Sequence, residues 1–170
     1  PKLHNQFFFF ESFLKSEIIN KSQNFILPPH SKLNKMCKLC KFIPHKGKSI
    51  PNSSERDVIM SFGANILHNL LPFVKTLRTT GSKCRFILFV NTKSLTHYPL
   101  LFYKSAINCG VEFINAGSFQ VNKLQSMYLR FYFYQKFLVL NQDKIDRVIL
   151  CDLFDTIFQH DPFTQDFGDF

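Results

Sequence analysis

The chain has 170 residues, 45% hydrophobic and 19% charged, with only 6 Gly and 8 Pro; collagen-like, low-complexity and disordered classes are excluded. No run of 18 apolar residues occurs, so no membrane-spanning helix is expected. The net charge of +9 is unevenly spread: residues 1–56 and 57–142 each carry +7, whereas residues 143–170 carry −5 through seven Asp and two basic residues. A basic body with aspartates gathered at one end suits an anionic ligand bridged by a divalent cation. The chain opens on Pro1 and is expected to be part of a longer protein.

Residues 1–54 show no sustained period and read as a basic, poorly ordered stem or linker. Within them Phe7, Phe10, Phe13, Leu14, Ile18 and Ile19 suit a short amphipathic helix, and a Lys-rich stretch at 32–48 follows Pro28-Pro29. Such a stretch suits RNA or acidic lipid, yet no aromatic stacking module surrounds it, so nucleic acid is not the expected partner. Cys37, Cys40 and His45 give C-x2-C-x4-H, three-quarters of a zinc-knuckle spacing, with His30 the one substitute for the fourth ligand; a metal-free CxxC is the reading kept. Cys84, Cys109 and Cys151 lie in or beside apolar runs and read as small buried hydrophobes rather than a disulfide framework. Asn20 and Asn52 head glycosylation sequons, a number that 12 Asn produce by chance.

From Glu55 the texture changes, and 55–170 read as one α/β domain. Residues 57–62 form a short apolar run ending at Gly63; 72–80 predict a helix with Pro72 in its first turn and Gly81 as its stop. The continuous apolar run 84–90 predicts a strand buried on both faces. A helix over 98–108, closed by Gly110, leads to a strand at 111–114. The longest helix, 123–141, places Leu124, Met127, Phe131, Tyr134 and Leu138 at helical spacing, and a fourth strand at 147–151 runs straight into Asp152. Alternating strands and helices predict a Rossmann-like, doubly wound, mostly parallel sheet.

Ligands of such sheets bind beyond the carboxyl ends of the strands. That rule points to Phe62, Gly63 and Asn65 after the first strand, to Asn91 after the second, and to Asp152 and Asp155 after the fourth. Strand residues i and i+3 face opposite ways, so both acids serve one ion only if the chain turns at Leu153-Phe154. Arg130 sits among Tyr128, Leu129, Phe131, Tyr132 and Phe133, the setting of a buried Arg that needs a carboxylate. His68, His97 and His160 read as structural or surface groups. Neither G-x-G-x-x-G nor a P-loop is present.

The segment RVILCDLFDTIFQHDPF at 147–163 resembles the metal motif of GT-A nucleotide-sugar transferases, in the branch reading hhhxDxxDhhFQxDPF. The match is Val148, Ile149, Leu150, Asp152, Asp155, Phe158, Gln159, Asp161, Pro162 and Phe163, and the ERDV…LPFV..LR..G pattern from Glu55 to Gly81 is similar too. The resemblance covers residues 55–163, the nucleotide-binding half of such a domain. It implies Mn²⁺ or Mg²⁺ on the diphosphate of a nucleotide-diphospho-sugar, UDP-linked by expectation, and transfer of the sugar to an unknown acceptor hydroxyl. By that resemblance Asp152 contacts ribose or metal-bound water, Asp155 ligates the metal, and Arg130 supports the acids or the diphosphate. The usual spacing is DxD; here it is DxxD. Residence in the secretory pathway, Golgi or ER lumen, follows from the same resemblance. Asp152-Leu-Phe-Asp-Thr156 also resembles the first motif of haloacid-dehalogenase-type phosphatases, with Asp152 as nucleophile, although that motif opens its domain and here three βα units precede it. A non-catalytic transferase-like module whose basic stem contacts nucleic acid is the third reading.

Overall fold

The computed structural model describes residues 25, 27, 52–65, 67–119 and 123–164, the side chains of 123–126 excepted. The amphipathic stretch near Phe7, the Lys-rich 32–48, Cys37, Cys40, His30, His45 and the Asn20 sequon lie outside the described residues.

The elements in order are β1 (Asp57–Gly63), α1 (Leu70–Thr79), β2 (Arg85–Asn91), α2 (Thr92–His97), α3 (Leu100–Asn108), β3 (Val111–Gly117), α4 (Lys123–Asn141), a short 3-10 turn (Gln142–Lys144) and β4 (Arg147–Leu150). The four strands are all parallel in the order β3-β2-β1-β4, the Rossmann-like doubly wound arrangement expected from the alternation of strands and helices. Two successive crossovers step outward from β1 to β3. The chain then returns through α4 to lay β4 on the other side of β1, so the order reverses between β1 and β4.

Alternation along the strands divides the core into two layers. Ile59, Phe86, Leu88 and Val90 pack with Phe73, Val74 and Leu77 of α1 and with Tyr103 and Ala106 of α3. Val58, Met60, Phe62, Ile87 and Phe89 pack with Leu129, Phe133, Tyr134 and Phe137 of α4. Every residue of β2 is buried, which is why that strand reads as an unbroken apolar run. Burying aromatic rings such as Phe86, Phe89 and Phe133 contributes about 2–3 kcal/mol each.

Four features differ from the sequence reading. The helix expected over 98–108 is two helices, with Pro99 as the N-cap of α3; a proline has no N–H to continue the ladder of α2. The buried stripe of α4 is Leu129, Phe133, Tyr134 and Phe137, while Met127 and Phe131 are exposed. That helix is apolar on nearly all sides, so spacing alone does not select the face that meets the sheet. Cys109 is disulfide-bonded, while Cys84 and Cys151 are free thiols. Phe25, inside the stretch read as stem, is buried in the second core layer, stacked 5.7 Å from Phe133 and 6.2 Å from Phe89. The Asn141 side chain bonds both sides of that segment, its Nδ2 donating to the Phe25 carbonyl at 2.8 Å and its Oδ1 accepting the Leu27 N–H at 2.7 Å. The core therefore reaches upstream of Glu55.

Candidate functional site

At the carboxyl end of β1 the chain turns sharply through Asn65, whose φ of 68° is the one left-handed non-glycine value among the described residues. Asn accepts this region more readily than most residues. The turn is held from β2. Asn65 N–H donates to Ser94 Oγ at 2.7 Å and to Asn91 Oδ1 at 3.2 Å, and Asn91 Nδ2 donates back to Asn65 Oδ1 at 2.9 Å. Asn91 is fully buried and caps α2 by accepting the Ser94 N–H at 2.9 Å; its second amide hydrogen reaches the Phe119 carbonyl at 3.3 Å. Asn65 and Asn91, expected as ligand contacts at two strand ends, bond each other, and the Asn91 amide is committed within the protein and shapes the rim. Phe62 is likewise a core residue, its ring 5.9 Å from Phe133 and 6.3 Å from Phe119, and the Gly63 carbonyl accepts from Ser94 Oγ at 3.2 Å. Ser94 and the short α2 went unread in the sequence, although Asn91-x-x-Ser94 is an ordinary N-cap pattern.

At the end of β4 the Cys151 N–H still bonds the Met60 carbonyl at 3.0 Å, and then the chain turns over residues 153–155. This is the turn at Leu153-Phe154 that both acids need if they are to serve one ion. Asp152 Oδ1 accepts the Phe154 N–H at 3.1 Å, an Asx-turn that fixes the carboxylate on the rim. Asn69, at the N-cap of α1, ties that helix to the turn after β4: its Nδ2 donates to the Phe154 carbonyl at 2.9 Å. His68 lies against the Phe154 ring at 5.4 Å. Asp155 is exposed and makes no hydrogen bond or ion pair to a described residue.

Arg130 reaches this edge from α4. Its Nη1 lies 3.5 Å from Asp152 Oδ2, the guanidinium sits 5.0 Å over the Phe131 ring, and its buried Nε has no acceptor among the described residues. The carboxylate expected from its apolar neighbourhood is therefore Asp152. Burial pushes the Tyr134 phenol up, against the opposing pull of the Arg130 guanidinium. Burial also pushes the Cys151 thiol up to about 11, with Cys84 and Asp152 adding in the same direction.

The rest of the motif runs away from the rim. Leu153 and Phe163 are core residues, and Phe158 packs edge-on to Phe73 at 5.0 Å. Asp161 is buried, with Oδ2 accepting the Ser53 N–H at 2.8 Å and Oδ1 the Phe163 N–H at 3.3 Å. Arg147 donates to the Phe163 carbonyl at 3.1 Å and stands 5.2 Å over its ring. Upstream, Arg78 is buried and bonds the carbonyls of Cys84, Cys109, Ser82 and Gly110 at 2.8–3.2 Å. Phe158, Asp161, Phe163 and Arg78, which carry part of the resemblance, therefore act as clasps of the fold.

No family model, curated protein or solved structure matches this chain. Among the described residues no three metal-ligating side chains converge. Asp152 and Asp155 both follow β4 and are both exposed; carboxylate oxygens are hard donors of the kind that Mg²⁺ or Mn²⁺ takes, one or two at a time, with water and phosphate oxygens completing the shell. Arg130 holds its guanidinium beside Asp152, and a guanidinium is the side chain that pairs best with planar or phosphate oxyanions. No helix among the described residues is long and apolar enough to cross a membrane.

Proposed function

We propose that this chain forms the nucleotide-binding part of a glycosyltransferase that takes a nucleotide-diphospho-sugar, UDP-linked by preference, through Mn²⁺ or Mg²⁺. The observation that carries the reading is the position of Asp152 and Asp155. They leave β4 where the strand order reverses beside β1, opposite the left-handed Asn65 turn, which is where open α/β sheets take their ligands. Asp155, exposed and unbonded to described residues, is the group with most capacity to hold the cation. Asp152, oriented by the Phe154 N–H and Arg130, is the second. Arg130 turns its remaining donors to the diphosphate. The metal, when bound, neutralises charge that builds on the diphosphate as it leaves. The rim formed by Gly63, Asn65 and the α2 cap is then the wall against which the nucleoside lies. Sugar would pass to an acceptor hydroxyl whose binding groups are not among the residues assigned to this edge.

Calorimetric titration of UDP, with Mn²⁺ and again with EDTA, tests the reading. Binding should require the metal, and Asp155→Asn should weaken it at least about tenfold, the loss that even an outer-shell partner of a metal commonly causes. Binding should change little between low and moderate salt, unlike contacts to a nucleic-acid backbone. A folded chain that shows no metal-dependent heat with UDP refutes the proposal.

A further inference from the structure

We propose that Asn52 carries an N-linked glycan, attached before the domain folds. Asn52-Ser53-Ser54 is an acceptor sequon, and Asn52 is exposed. Its side-chain amide makes no hydrogen bond to a described residue, while its carbonyl accepts from Arg147 Nη2 at 3.0 Å. Arg147 opens β4, so Asn52 lies at the amino end of the sheet, and a glycan there leaves the Asp152 edge uncovered. The second observation is independent of any functional reading: Cys109 is disulfide-bonded. Disulfides form and persist in the lumen of the secretory pathway, where sequons are also filled.

The folded domain fixes the timing. Ser53 is buried, its N–H bonded to Asp161 Oδ2 at 2.8 Å and its hydroxyl engaged with Ser82 Oγ at 2.9 Å and with the Lys83 N–H at 2.7 Å. The Ser54 N–H is held by Asp57. A transferase that must read the hydroxyl two residues after Asn52 meets this segment free only while the chain is unfolded. The co-reactant is a polyprenyl-pyrophosphate-linked oligosaccharide. The Asn52 Nδ2 forms the new bond to the anomeric carbon as the bond from that carbon to the pyrophosphate oxygen breaks. Polyprenyl pyrophosphate leaves with the bonding electrons, and the amide gives up one proton to a base of the transferase.

The test is secretion of the full chain from insect cells behind a cleavable leader, followed by peptide-N-glycosidase digestion and glycopeptide mass spectrometry. The wild-type chain should lose one mobility step on digestion that Asn20→Gln retains and that both Asn52→Gln and Ser54→Ala abolish. Ser54→Ala keeps the asparagine, and occupancy read directly on wild-type peptides needs no variant at all. Secreted, disulfide-bonded protein with Asn52 bare overturns the proposal. Modification at Asn52 of chain that was folded first, purified from bacteria and then offered to microsomes overturns the timing.

Discussion

Asp57 and Arg147, the first residues of β1 and β4, meet as a two-pronged ion pair at the amino end of the sheet, with Nε to Oδ1 at 2.7 Å and Nη2 to Oδ2 at 2.8 Å. Parallel pairing of the two strands begins at this couple. Burial alone would raise the Asp57 carboxyl, but the Arg147 guanidinium and the Ser54 N–H outweigh it and hold the carboxyl below its ordinary value. A carboxyl depressed in the folded state contributes stability at any pH above its unfolded value, about 4, and that contribution is lost as pH falls through the folded value. Urea unfolding from pH 7 down to pH 3 should therefore show a loss below about pH 4 that Asp57→Asn lacks. Arg147→Ala should cost about 3 kcal/mol, because it strands a buried carboxylate. Asp57→Asn should cost less, since Arg147 keeps the Phe163 and Asn52 carbonyls. Equal costs would refute the asymmetry.

Phe25 gives the second prediction. Its ring is enclosed by Phe89 and Phe133, with the Lys136 ammonium 4.8 Å over its face. Phe25→Ala should destabilise the domain by about 3–5 kcal/mol, the usual cost of emptying a buried aromatic site. The measurement is a shift of the urea midpoint with an unchanged slope. A chain beginning at Pro51 should be destabilised by a similar amount or more, and one as stable as the full chain would contradict the place given to Phe25.

Both observations show what was legible in the sequence. The strands are its most readable part. The apolar run 84–90 has no alternative to a strand buried on both faces, and the helix over 123–141 is bounded as expected because its residues have high helical or apolar character throughout. That same character hides which side of α4 faces the sheet. Phe25 was not legible, because one aromatic residue in a Lys- and Asn-rich stretch has no period to announce its burial. Arg78, Asp57 and Asp161 are charged residues whose partners are backbone groups or residues up to 108 positions away, so local pattern cannot separate a clasp from a ligand. At the site, Arg130 meets the carboxylate of Asp152 as its neighbours suggest, but the pair is half-exposed, so the burial expected for Arg130 from its apolar neighbours is only partial.

The Asn65 turn separates backbone need from side-chain need. At φ 68° a residue with a branched Cβ costs about 1–2 kcal/mol, whereas glycine has no such penalty. Asn65→Gly should be within about 1 kcal/mol of the wild type, losing only the Asn91 Nδ2 contact, and Asn65→Val should cost clearly more. Asn91→Ala should be the most damaging of the three, because it leaves the buried Ser94 N–H without its acceptor, at about 1–3 kcal/mol, and removes the amide that braces the Asn65 turn; the Asn65 N–H keeps Ser94 Oγ. Thermal unfolding of the three variants checks the ranking, and Asn65→Val as stable as Asn65→Gly would refute the conformational account.

Cys151 provides a reporter beside Asp152. Its thiol is partly exposed yet pushed up to about 11 by burial, so access does not limit it as much as ionisation does. At pH 7.5 the thiolate fraction is roughly 10²–10³ times smaller than that of an ordinary thiol near 8.5, and alkylation should be slower by a similar factor. The rate should climb about tenfold per pH unit while the chain stays folded. Cys84, buried and likewise pushed up to about 11, should label only on unfolding, and peptide mapping separates the two. UDP with Mn²⁺ should slow the Cys151 reaction further, because a ligand held at Asp152 covers the adjoining backbone; UDP with EDTA should not. Rapid labelling of Cys151 at neutral pH would refute the environment described for it. A pH-dependent rate unmoved by UDP and Mn²⁺ would place the nucleotide, if it binds, away from β4.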